Sequence, residues 1–227
     1  MHSSLVVIKH VVLKPVIRFF LRHPEKMHSR WFIWVMRIFP DRMSERYDHA
    51  LAISREALQA GMHELITYMP QKPNLILDVC TGTGAVALIL AHELPQAVIH
   101  GVDISLRMLD KARKKAESNQ VTNIVWQRED AQKLSYRDNS FDLVVTANAP
   151  VYIDELARVV RERGNLCIWF SFSAEVFTES VEEMRTLLAS YQMKLVRIMV
   201  RDNQVGLVAE KLSIPNSDVY PERDSNA

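Results

Sequence analysis

Cysteine is scarce in this sequence of 227 residues, which contains only Cys80 and Cys167. A disulfide framework needs several cysteines, and a zinc module needs companion cysteines at short spacings. The low count excludes a small domain held together by disulfides or by zinc. It also favours a reducing compartment, so we predict a cytoplasmic protein. The eight histidines show no metal-ligand pattern either, and we predict no metal site.

The chain also lacks a strong excess of charge. Its formal net charge is +1, which gives no general argument for a nucleic-acid partner. Hydrophobic residues make up 48% and charged residues 24% of the chain, close to the averages of globular proteins. These fractions exclude a disordered or collagen-like chain, and the length suits one domain with a short appendage.

Acidic residues are missing before Glu25, and residues 1–46 carry nine Lys or Arg against three Asp or Glu, a net charge of +6. On a helix, bases at every fourth residue form one slowly drifting stripe. No uncharged run in this segment approaches the roughly 20 residues that cross a bilayer, and no signal-peptide pattern is present. We therefore interpret residues 1–46 as a basic amphipathic helical arm, whose stripe is Lys14, Arg18, Arg22, Lys26 and Arg30.

The sequence leaves the purpose of this arm open. The arm can pack on the main domain with its basic face in solvent, or it can lie on an anionic membrane surface as a peripheral contact. A third interpretation is an organelle transit segment, since such segments contain arginine and lack acids.

From Leu75 to Lys211, short apolar runs alternate with helical patterns, which is typical of βαβ units in a parallel sheet. Asp202–Asn203 between the last two runs predicts an antiparallel hairpin. We predict an α/β fold with a seven-stranded, mostly parallel sheet, a C-terminal hairpin and helices on both faces, over residues 47–212, then a disordered tail, 213–227. The expected strands are 75–79, 97–102, 124–126, 141–146, 166–170, 194–201 and 204–211, and the expected helices are 84–94, 105–118, 153–161 and 176–190.

The turn after the first of these strands is the most informative segment. From residue 78 it reads Asp-Val-Cys-Thr-Gly-Thr-Gly. Glycines allow a left-handed backbone and leave room for a ligand beside the chain, and the amides that begin the next helix attract anionic groups. In open α/β sheets such a turn lies at the ligand-binding edge.

Acidic residues follow the next two strands at the same edge. Asp103 lies 19 residues after Gly84, where a carboxylate can accept hydrogen bonds from the two hydroxyls of a ribose. A cap for the helix that begins near Ser105 is the structural alternative. Asp130 and Ala131 follow the third strand, where polar groups can reach the edge of an adenine.

Together these motifs resemble the class I S-adenosylmethionine-dependent methyltransferases, above all the branch of the ubiquinone and menaquinone C-methyltransferases and many small-molecule methyltransferases. Cys80 stands at the first glycine of the family's fullest pattern, and Arg161-Glu162-Arg163-Gly164 stands where Lys-Pro-Gly-Gly is usual. The resemblance extends from about Tyr47 to Lys211, and the matching segments are Leu77–Gly84, Gly101–Ser105, Met108–Leu109, Ala112–Arg113, Glu129–Ala131, Ser140–Val144 and Glu155–Val160.

The resemblance implies a Rossmann-like fold, the cofactor S-adenosyl-L-methionine, and methyl transfer to a small acceptor that is apolar or membrane-associated. It also implies the cofactor-binding residues: Asp78, Cys80, Thr81, Gly82, Thr83 and Gly84 at the methionine part, Asp103 at the ribose, Ile104 and Met108 beside the adenine, Asp130 and Ala131 at its edge, Ala147 and Asn148 toward the methionine end, and Tyr47 closing the pocket.

No catalytic residue is assigned, because a general base is needed only if the acceptor must lose a proton. The unranked candidates are Asp48, His49, Asn148 and Tyr152. The segment Asn148–Tyr152 partly resembles the Asn-Pro-Pro-Tyr of amino-group methyltransferases.

Three other functions stay open. A nicotinamide-dependent oxidoreductase would use the same glycines, although Asp78 and Asp130 do not suit its fingerprint. A catalytically silent methyltransferase fold could serve as a binding partner or scaffold. A nucleic-acid methyltransferase would use the basic arm with Trp31 and Trp34. The oligomeric state is not readable from the sequence.

Overall fold

The structure is a computed structural model that describes residues 55–171 and 174–213, together with Phe19, Arg22, His23 and Lys26. Most of the arm (1–46), Tyr47, Asp48, His49 and nearly all of the tail (213–227) lie outside the described residues. The predicted boundaries of the arm and tail therefore stay predictions.

The described residues alternate between strands and helices along most of the chain. The helices are α1 (Arg55–Tyr68), α2 (Ala85–Glu93), α3 (Leu106–Ser118), α4 (Ile153–Val159), α5 (Ala174–Glu179) and α6 (Val181–Ser190). The strands are β1 (Leu75–Val79), β2 (Val98–Asp103), β3 (Ile124–Arg128), β4 (Phe141–Ala147), β5 (Val160–Phe170), β6 (Met193–Arg201) and β7 (Gln204–Lys211).

All seven strands form one sheet in the order β3-β2-β1-β4-β5-β7-β6. The pairs from β3 to β5 are parallel, whereas β7 pairs antiparallel with both β5 and β6. The predicted mostly parallel sheet with a C-terminal hairpin is confirmed. Because the order reverses between β1 and β4, the carboxyl ends of these strands border a switch point.

Helices cover both faces of this sheet. The side chains of α1 and α2 form one apolar core with the sheet, and those of α4, α5 and α6 form the other. The sheet residues in the first core are Ile76, Ile99, Leu143, Val145, Cys167, Trp169, Met199 and Val208. Those in the second include Leu77, Val79, Val102, Val144, Leu166, Ile168 and Leu207. Alternate residues of one strand thus serve opposite cores, which holds the sheet rigidly between its helix layers.

Two predicted elements differ in the structure. The helix expected at 176–190 is divided at the buried Ser180, whose carbonyl accepts the first hydrogen bond of α6 from the Met184 amide at 3.0 Å. The ring of Phe177 in α5 stacks on Phe170 with a centroid separation of 3.9 Å. This contact ties α5 to the end of β5, so packing against the sheet, rather than the helical period, determines where α5 lies.

The fifth strand begins earlier than expected, at Val160 instead of residue 166. Val160 pairs with Phe141 and Asn165 pairs with Leu143, so four residues on β5 face one on β4 and form a bulge. Arg161 in the bulge donates from Nε to Asp142 at 2.5 Å, which closes the irregular segment. The bulge hides the alternating pattern that would mark a strand, and it ends the preceding helix at Val159.

A buried tryptophan determines how closely α1 approaches the sheet. The indole of Trp169 in β5 lies between Gly61 of α1 and Gly206 of β7, and a Cβ added at Gly61 would overlap Cη2 of the ring. Its Nε1 donates a hydrogen bond of 2.8 Å to Oε1 of Gln204. Gly61 thus occupies a helix interior, where glycine is normally unfavourable, because no larger residue fits against the ring.

We expect Gly61→Ala to lower the free energy of unfolding by about 1–3 kcal/mol, the usual effect of overpacking a core, although alanine gains about 1 kcal/mol in helix propensity. Urea unfolding followed by circular dichroism measures the change. Gln59→Ala at an exposed position of α1 is the control, and it should stay within about 0.5 kcal/mol of the native chain. A Gly61→Ala variant that is more stable than the native chain would contradict the contact with Trp169.

Candidate functional site

The candidate site lies at the carboxyl ends of β1, β2, β3 and β4. Parallel strands end at one edge, so the turns after them meet there, and the strand order reverses beside β1. The sequence-predicted residues of the described chain end or follow these four strands, except Asp78 near the end of β1 and Met108 in α3.

Three left-handed residues bend the chain sharply between β1 and α2. The backbone φ angle is 57° at both Cys80 and Gly82, and 82° at Gly84. Glycine adopts this conformation freely, but a residue with a Cβ is destabilised by about 1–2 kcal/mol. Cys80 therefore adopts a backbone conformation that glycine adopts more easily. Thr81 and Thr83 between these residues are buried.

Asp78 organises this turn from inside the protein. Its side chain is 1% exposed, and Oδ2 accepts hydrogen bonds from the Thr81 hydroxyl at 2.5 Å and from the Ala87 amide at 3.1 Å. Gly84, the residue before α2, has no side chain to cap the helix. Asp78 therefore caps the first turn of α2 from β1, a position where a carboxylate favours the helix dipole.

The same carboxyl group has a strongly perturbed proton affinity. Burial raises the pKa of Asp78 to about 7, against the hydrogen bonds from Thr81 and Ala87, which lower it, and with a further raising effect from the charge of Asp103. Near neutral pH this group is therefore partly protonated, whereas an exposed aspartate is almost fully ionised.

Asp103 ends β2 and is joined directly to the turn. It is 8% exposed; its Oδ2 accepts the Gly82 amide at 2.9 Å and its Oδ1 accepts the Ser105 amide at 2.9 Å. The Thr81 amide donates to the carbonyl of Val102 at 2.9 Å and makes a second link to the same strand. Two backbone amides thus orient the carboxylate at the edge of the sheet.

The helix cap that was the structural alternative for Asp103 belongs to a different residue. The Ser105 hydroxyl accepts the Met108 amide at 3.3 Å and begins α3. Met108 itself is 2% exposed, so its side chain is part of the interior beneath the edge, while Ile104 is half-buried.

Asp130 and Ala131 form a short turn after β3, and both are partly exposed. Oδ1 of Asp130 accepts the Gln132 amide at 3.1 Å, and its carbonyl accepts the Lys133 amide at 2.9 Å. The carboxyl group of Asp130 thus helps to hold the turn in which Ala131 lies.

The Glu-x-x-Arg part of the matched pattern fastens the segment that follows this turn. Arg158 of α4 forms two hydrogen bonds of 2.8 Å with Glu155 and donates to the carbonyls of Leu134 and Tyr136. Glu155 also accepts the Leu134 amide at 2.8 Å. This motif therefore positions the chain between β3 and β4.

Asn148, at the end of β4, is held by the end of β5. Its Nδ2 donates to the Ser171 hydroxyl at 3.1 Å, and its Oδ1 accepts the Ser171 amide at 2.8 Å. The backbone φ angle of Asn148 is 54°, and its amide donates to the carbonyl of Trp169. Sequence reasoning missed Ser171, because only the long-range pairing of β4 with β5 brings it to the site. Ala147 beside it is half-buried.

The thiol of Cys80 and the phenol of Tyr152 keep their protons at neutral pH. Burial raises the pKa of the Cys80 thiol far above its ordinary range, and the charges of Asp103, Asp78 and Asp130 raise it further. Burial likewise raises the pKa of Tyr152, which is 5% exposed, so its phenol is a hydrogen-bond donor and not a base at neutral pH.

Within 55–171 and 174–213, no group of three His, Cys, Asp or Glu side chains is arranged to hold a metal ion. None of the helices described is long and apolar enough to cross a bilayer.

Comparison with known proteins identifies relatives of this domain. Residues 76–166 match a family model described as a methyltransferase domain. The chain is 31% identical over 141 residues to a demethylmenaquinone methyltransferase of Bacteroides fragilis, covering 56% of each protein. It is 39% identical over 126 residues to a demethylmenaquinone methyltransferase of Deinococcus radiodurans, covering 52% of this chain and 51% of that protein. The chain thus spans about half the length of the curated relatives it matches.

A solved structure of a SAM-dependent methyltransferase from Aquifex aeolicus has the same fold. It aligns with a TM-score of 0.58 and 19% identity, over 70% of this chain and 93% of that one. At this identity the likeness concerns the fold alone, and it confirms the predicted Rossmann-like architecture.

We expect the buried Asp78 to make the protein less stable as the pH rises. Its carboxyl group titrates at 3.8 when exposed and at about 7 in the fold, so between these values the unfolded chain loses its proton first. The free energy of unfolding should then fall by up to about 1.4 kcal/mol per pH unit. Urea unfolding of the native chain and of Asp78→Asn between pH 5 and pH 7 should show a flatter dependence in the variant.

Asp142→Asn is the matched control for this experiment. Burial opposes ionisation of Asp142, but hydrogen bonds from the Leu75 amide, Arg161 and the Asn74 amide outweigh it and hold the pKa of Asp142 below its usual value. Its contribution to stability is lost only when the pH falls through the acid range, so this variant should keep the native slope between pH 5 and 7. An equal slope in all three proteins would contradict the assignment to Asp78.

Proposed function

We propose that this chain, which matches a methyltransferase-domain family model over residues 76–166, transfers the methyl group of S-adenosyl-L-methionine to a small acceptor. One observation carries the proposal: the glycine turn and the acid at the end of β2 are joined by the hydrogen bond of 2.9 Å between the Gly82 amide and Asp103. This contact places backbone amides and a carboxylate side by side, as recognition of an adenosyl group requires.

The residues at the edge of the sheet fit this cofactor. Asp103, oriented by two amides, would accept the ribose hydroxyls, and the turn held by Asp78 would receive the methionine part. Asp130 and Ala131 would meet the adenine edge, with Ile104 and Met108 beside the ring. The remaining assignments are Cys80, Thr81, Gly82, Thr83, Gly84, Ala147 and Asn148 toward the methionine, and Tyr47 over the pocket.

The chemistry needs alignment more than reactive side chains. The bound cofactor supplies a methyl group that its sulfonium has already activated, and the acceptor's electron pair takes it while the carbon–sulfur bond breaks. The protein contributes by holding the acceptor in line and excluding water, effects worth roughly 7–11 kcal/mol together. The protonated Cys80 and Tyr152 suit this role, because neither competes with the acceptor as a nucleophile.

A reduced quinone is the acceptor class that we propose. The relatives from Bacteroides fragilis and Deinococcus radiodurans are named for the methylation of demethylmenaquinone. Residues 148–152 read Asn-Ala-Pro-Val-Tyr and depart from the Asn-Pro-Pro-Tyr of amino-group methyltransferases. This departure favours a carbon or oxygen acceptor over an amine.

The basic arm provides a route to an acceptor dissolved in a membrane. Nη2 of Arg22, a member of the basic stripe, lies 3.3 Å from Oε1 of Glu183 in α6. The Arg22 side chain is largely exposed, so the pair contributes little stability, but it favours an arm that packs on the domain. We propose that the other bases of the arm face an anionic lipid surface from this position.

We expect Asp103→Ala to weaken binding of S-adenosyl-L-methionine by about 2–3 kcal/mol, the loss expected for hydrogen bonds to a charged group. Isothermal titration calorimetry on the full chain measures the affinity. Asp103→Asn, which keeps an acceptor for the Gly82 amide, separates loss of binding from loss of the fold. Asp110→Ala on the exposed side of α3 is the control and should bind as the native chain does.

The outcomes of this titration distinguish the proposed function from two of the alternatives, the silent scaffold and the oxidoreductase. Unchanged affinity in Asp103→Ala would contradict the role of this carboxylate. A folded native chain that binds neither S-adenosyl-L-methionine nor S-adenosylhomocysteine would favour a silent scaffold, and binding of a nicotinamide cofactor instead would favour an oxidoreductase.

Turnover assays test the proposed acceptor. We expect S-adenosylhomocysteine to be released faster with reduced naphthoquinones than with simple phenols or amines, because the quinol ring is apolar and rich in electrons. If the arm acts at a membrane, quinol in anionic vesicles should be methylated faster than quinol in zwitterionic vesicles, and added salt should remove the difference. Faster turnover of amines would contradict the proposal.

A further inference from the structure

The indole ring of Trp126, in β3, lies against both segments that form the proposed cofactor site. A Cβ added to Gly84, at the start of α2, would lie 2.7 Å from Cη2 of this ring. A Cβ added to Gly101, in β2, would lie 2.5 Å from its Cζ3. One edge of a single ring therefore occupies the space in front of two glycines that belong to different elements.

The ring of Trp126 alone explains why residue 101 is a glycine. Among the described residues, the glycines with a left-handed backbone are Gly82 and Gly84, and Gly101 is not one of them. Its backbone conformation is therefore open to residues with a side chain. The obstacle to a side chain is the ring of Trp126, since the nearest other atom, Oγ1 of Thr81, is at an ordinary contact distance of 3.4 Å.

The two glycines lie close to the groups that would bind the cofactor. Gly84 precedes the first turn of α2, whose amides face the switch point, and Gly101 precedes Asp103 by two residues on the same strand. Hydrogen bonds from Thr81 and Gly82 already tie the turn to the end of β2. The ring adds a rigid spacer on a third side, because an indole has few rotamers and does not compress.

We propose that Trp126 is a positioning residue for the cofactor: its ring sets the separation between the start of α2 and the end of β2, and thereby the affinity for the adenosyl group. This inference rests on the proposed function. Trp126 acts through Gly84 and Gly101, so its loss should change cofactor binding and leave methyl transfer at saturating cofactor nearly unchanged.

The experiment uses a double-mutant cycle on the full chain, with S-adenosylhomocysteine affinity measured by calorimetry. The variants are Trp126→Ala, Trp126→Phe, Gly101→Ala and the double variant Trp126→Ala/Gly101→Ala. Val125→Ala is the matched control, because Val125 is the neighbouring apolar residue of β3 and its side chain is 45% exposed. Amide hydrogen exchange of residues 80–87 without cofactor provides a second measurement, which does not depend on cofactor binding.

We expect Trp126→Ala and Gly101→Ala each to weaken binding about tenfold, and Trp126→Phe to weaken it by less than Trp126→Ala, since the phenyl ring fills part of the space but does not extend as far as Cη2 of the indole. In the double variant the new methyl group enters the space that the indole left, so its affinity should exceed the product of the two single effects by about fivefold or more. The KM for the cofactor should rise in Trp126→Ala while kcat changes less than about twofold. Exchange at residues 80–87 should accelerate in Trp126→Ala and not in Val125→Ala.

Equal affinity of Trp126→Ala and the native chain, or strictly additive effects in the cycle, would overturn the inference while the proposed function stands. A native chain that binds no S-adenosylhomocysteine would overturn both. In that second case, faster amide exchange at residues 80–87 in Trp126→Ala than in the native chain would show that the ring holds the turn. The error would then lie in the proposed ligand.

Discussion

The hydrogen bond between the Gly82 amide and Asp103 is the contact on which the site depends. It joins a turn that leaves β1 to the last residue of β2, two segments that the sheet alone would only bring near each other. With the link from Thr81 to Val102, it converts the turn and the strand end into one rigid unit. A preorganised unit of this kind binds a ligand without first having to order its own backbone.

The buried Asp78 stabilises this unit from the interior of the protein. A carboxyl group that is buried and close to a second acid is unfavourable in its charged form, and its raised pKa expresses that conflict. This unfavourable burial is offset because the Asp78 carboxyl group accepts hydrogen bonds from the Thr81 hydroxyl and from the Ala87 amide in the first turn of α2. An asparagine could make some of these bonds without the charge, so the carboxylate itself suits a site that receives a positively charged sulfonium and ammonium. In the proposed function Asp78 would thus add an electrostatic contribution to its structural one.

The rings of Trp126 and Trp169 account for most of the glycines in this chain. Of the six glycines in the sequence, four face an indole: Gly84 and Gly101 contact Trp126, and Gly61 and Gly206 contact Trp169. Each ring joins segments that are distant in the chain, and each lies near the functional edge, since the Trp169 carbonyl also holds the amide of Asn148. Large rigid rings set against bare backbone fix the distances between elements more strictly than flexible aliphatic contacts do.

The contacts between glycines and tryptophans also illustrate which features of the fold could be predicted from the sequence and which could not. The strand, turn and helix around Asp78 are signalled by neighbouring residues, and the acid at Asp103 by a regular spacing, so the fold class and the outline of the site were predictable. The contacts of Trp126 and the bonds between Asn148 and Ser171 were not, because they join residues whose proximity only the folded sheet creates. The bulge after Val160 and the division of the last helix were missed for a related reason, since tertiary contacts there override the local period.

The protonation states of the site bear on the kind of chemistry it can perform. Enzymes that form covalent intermediates lower the pKa of a nucleophile or place a base beside it. In this site burial and the neighbouring acids raise the pKa of the Cys80 thiol, and burial raises the pKa of the Tyr152 phenol. Such an environment suppresses side reactions with an electrophilic methyl group, because a thiolate at the position of Cys80 would itself be methylated. In the proposed function, the acids that hold the turn would therefore also keep the Cys80 thiol protonated and unreactive.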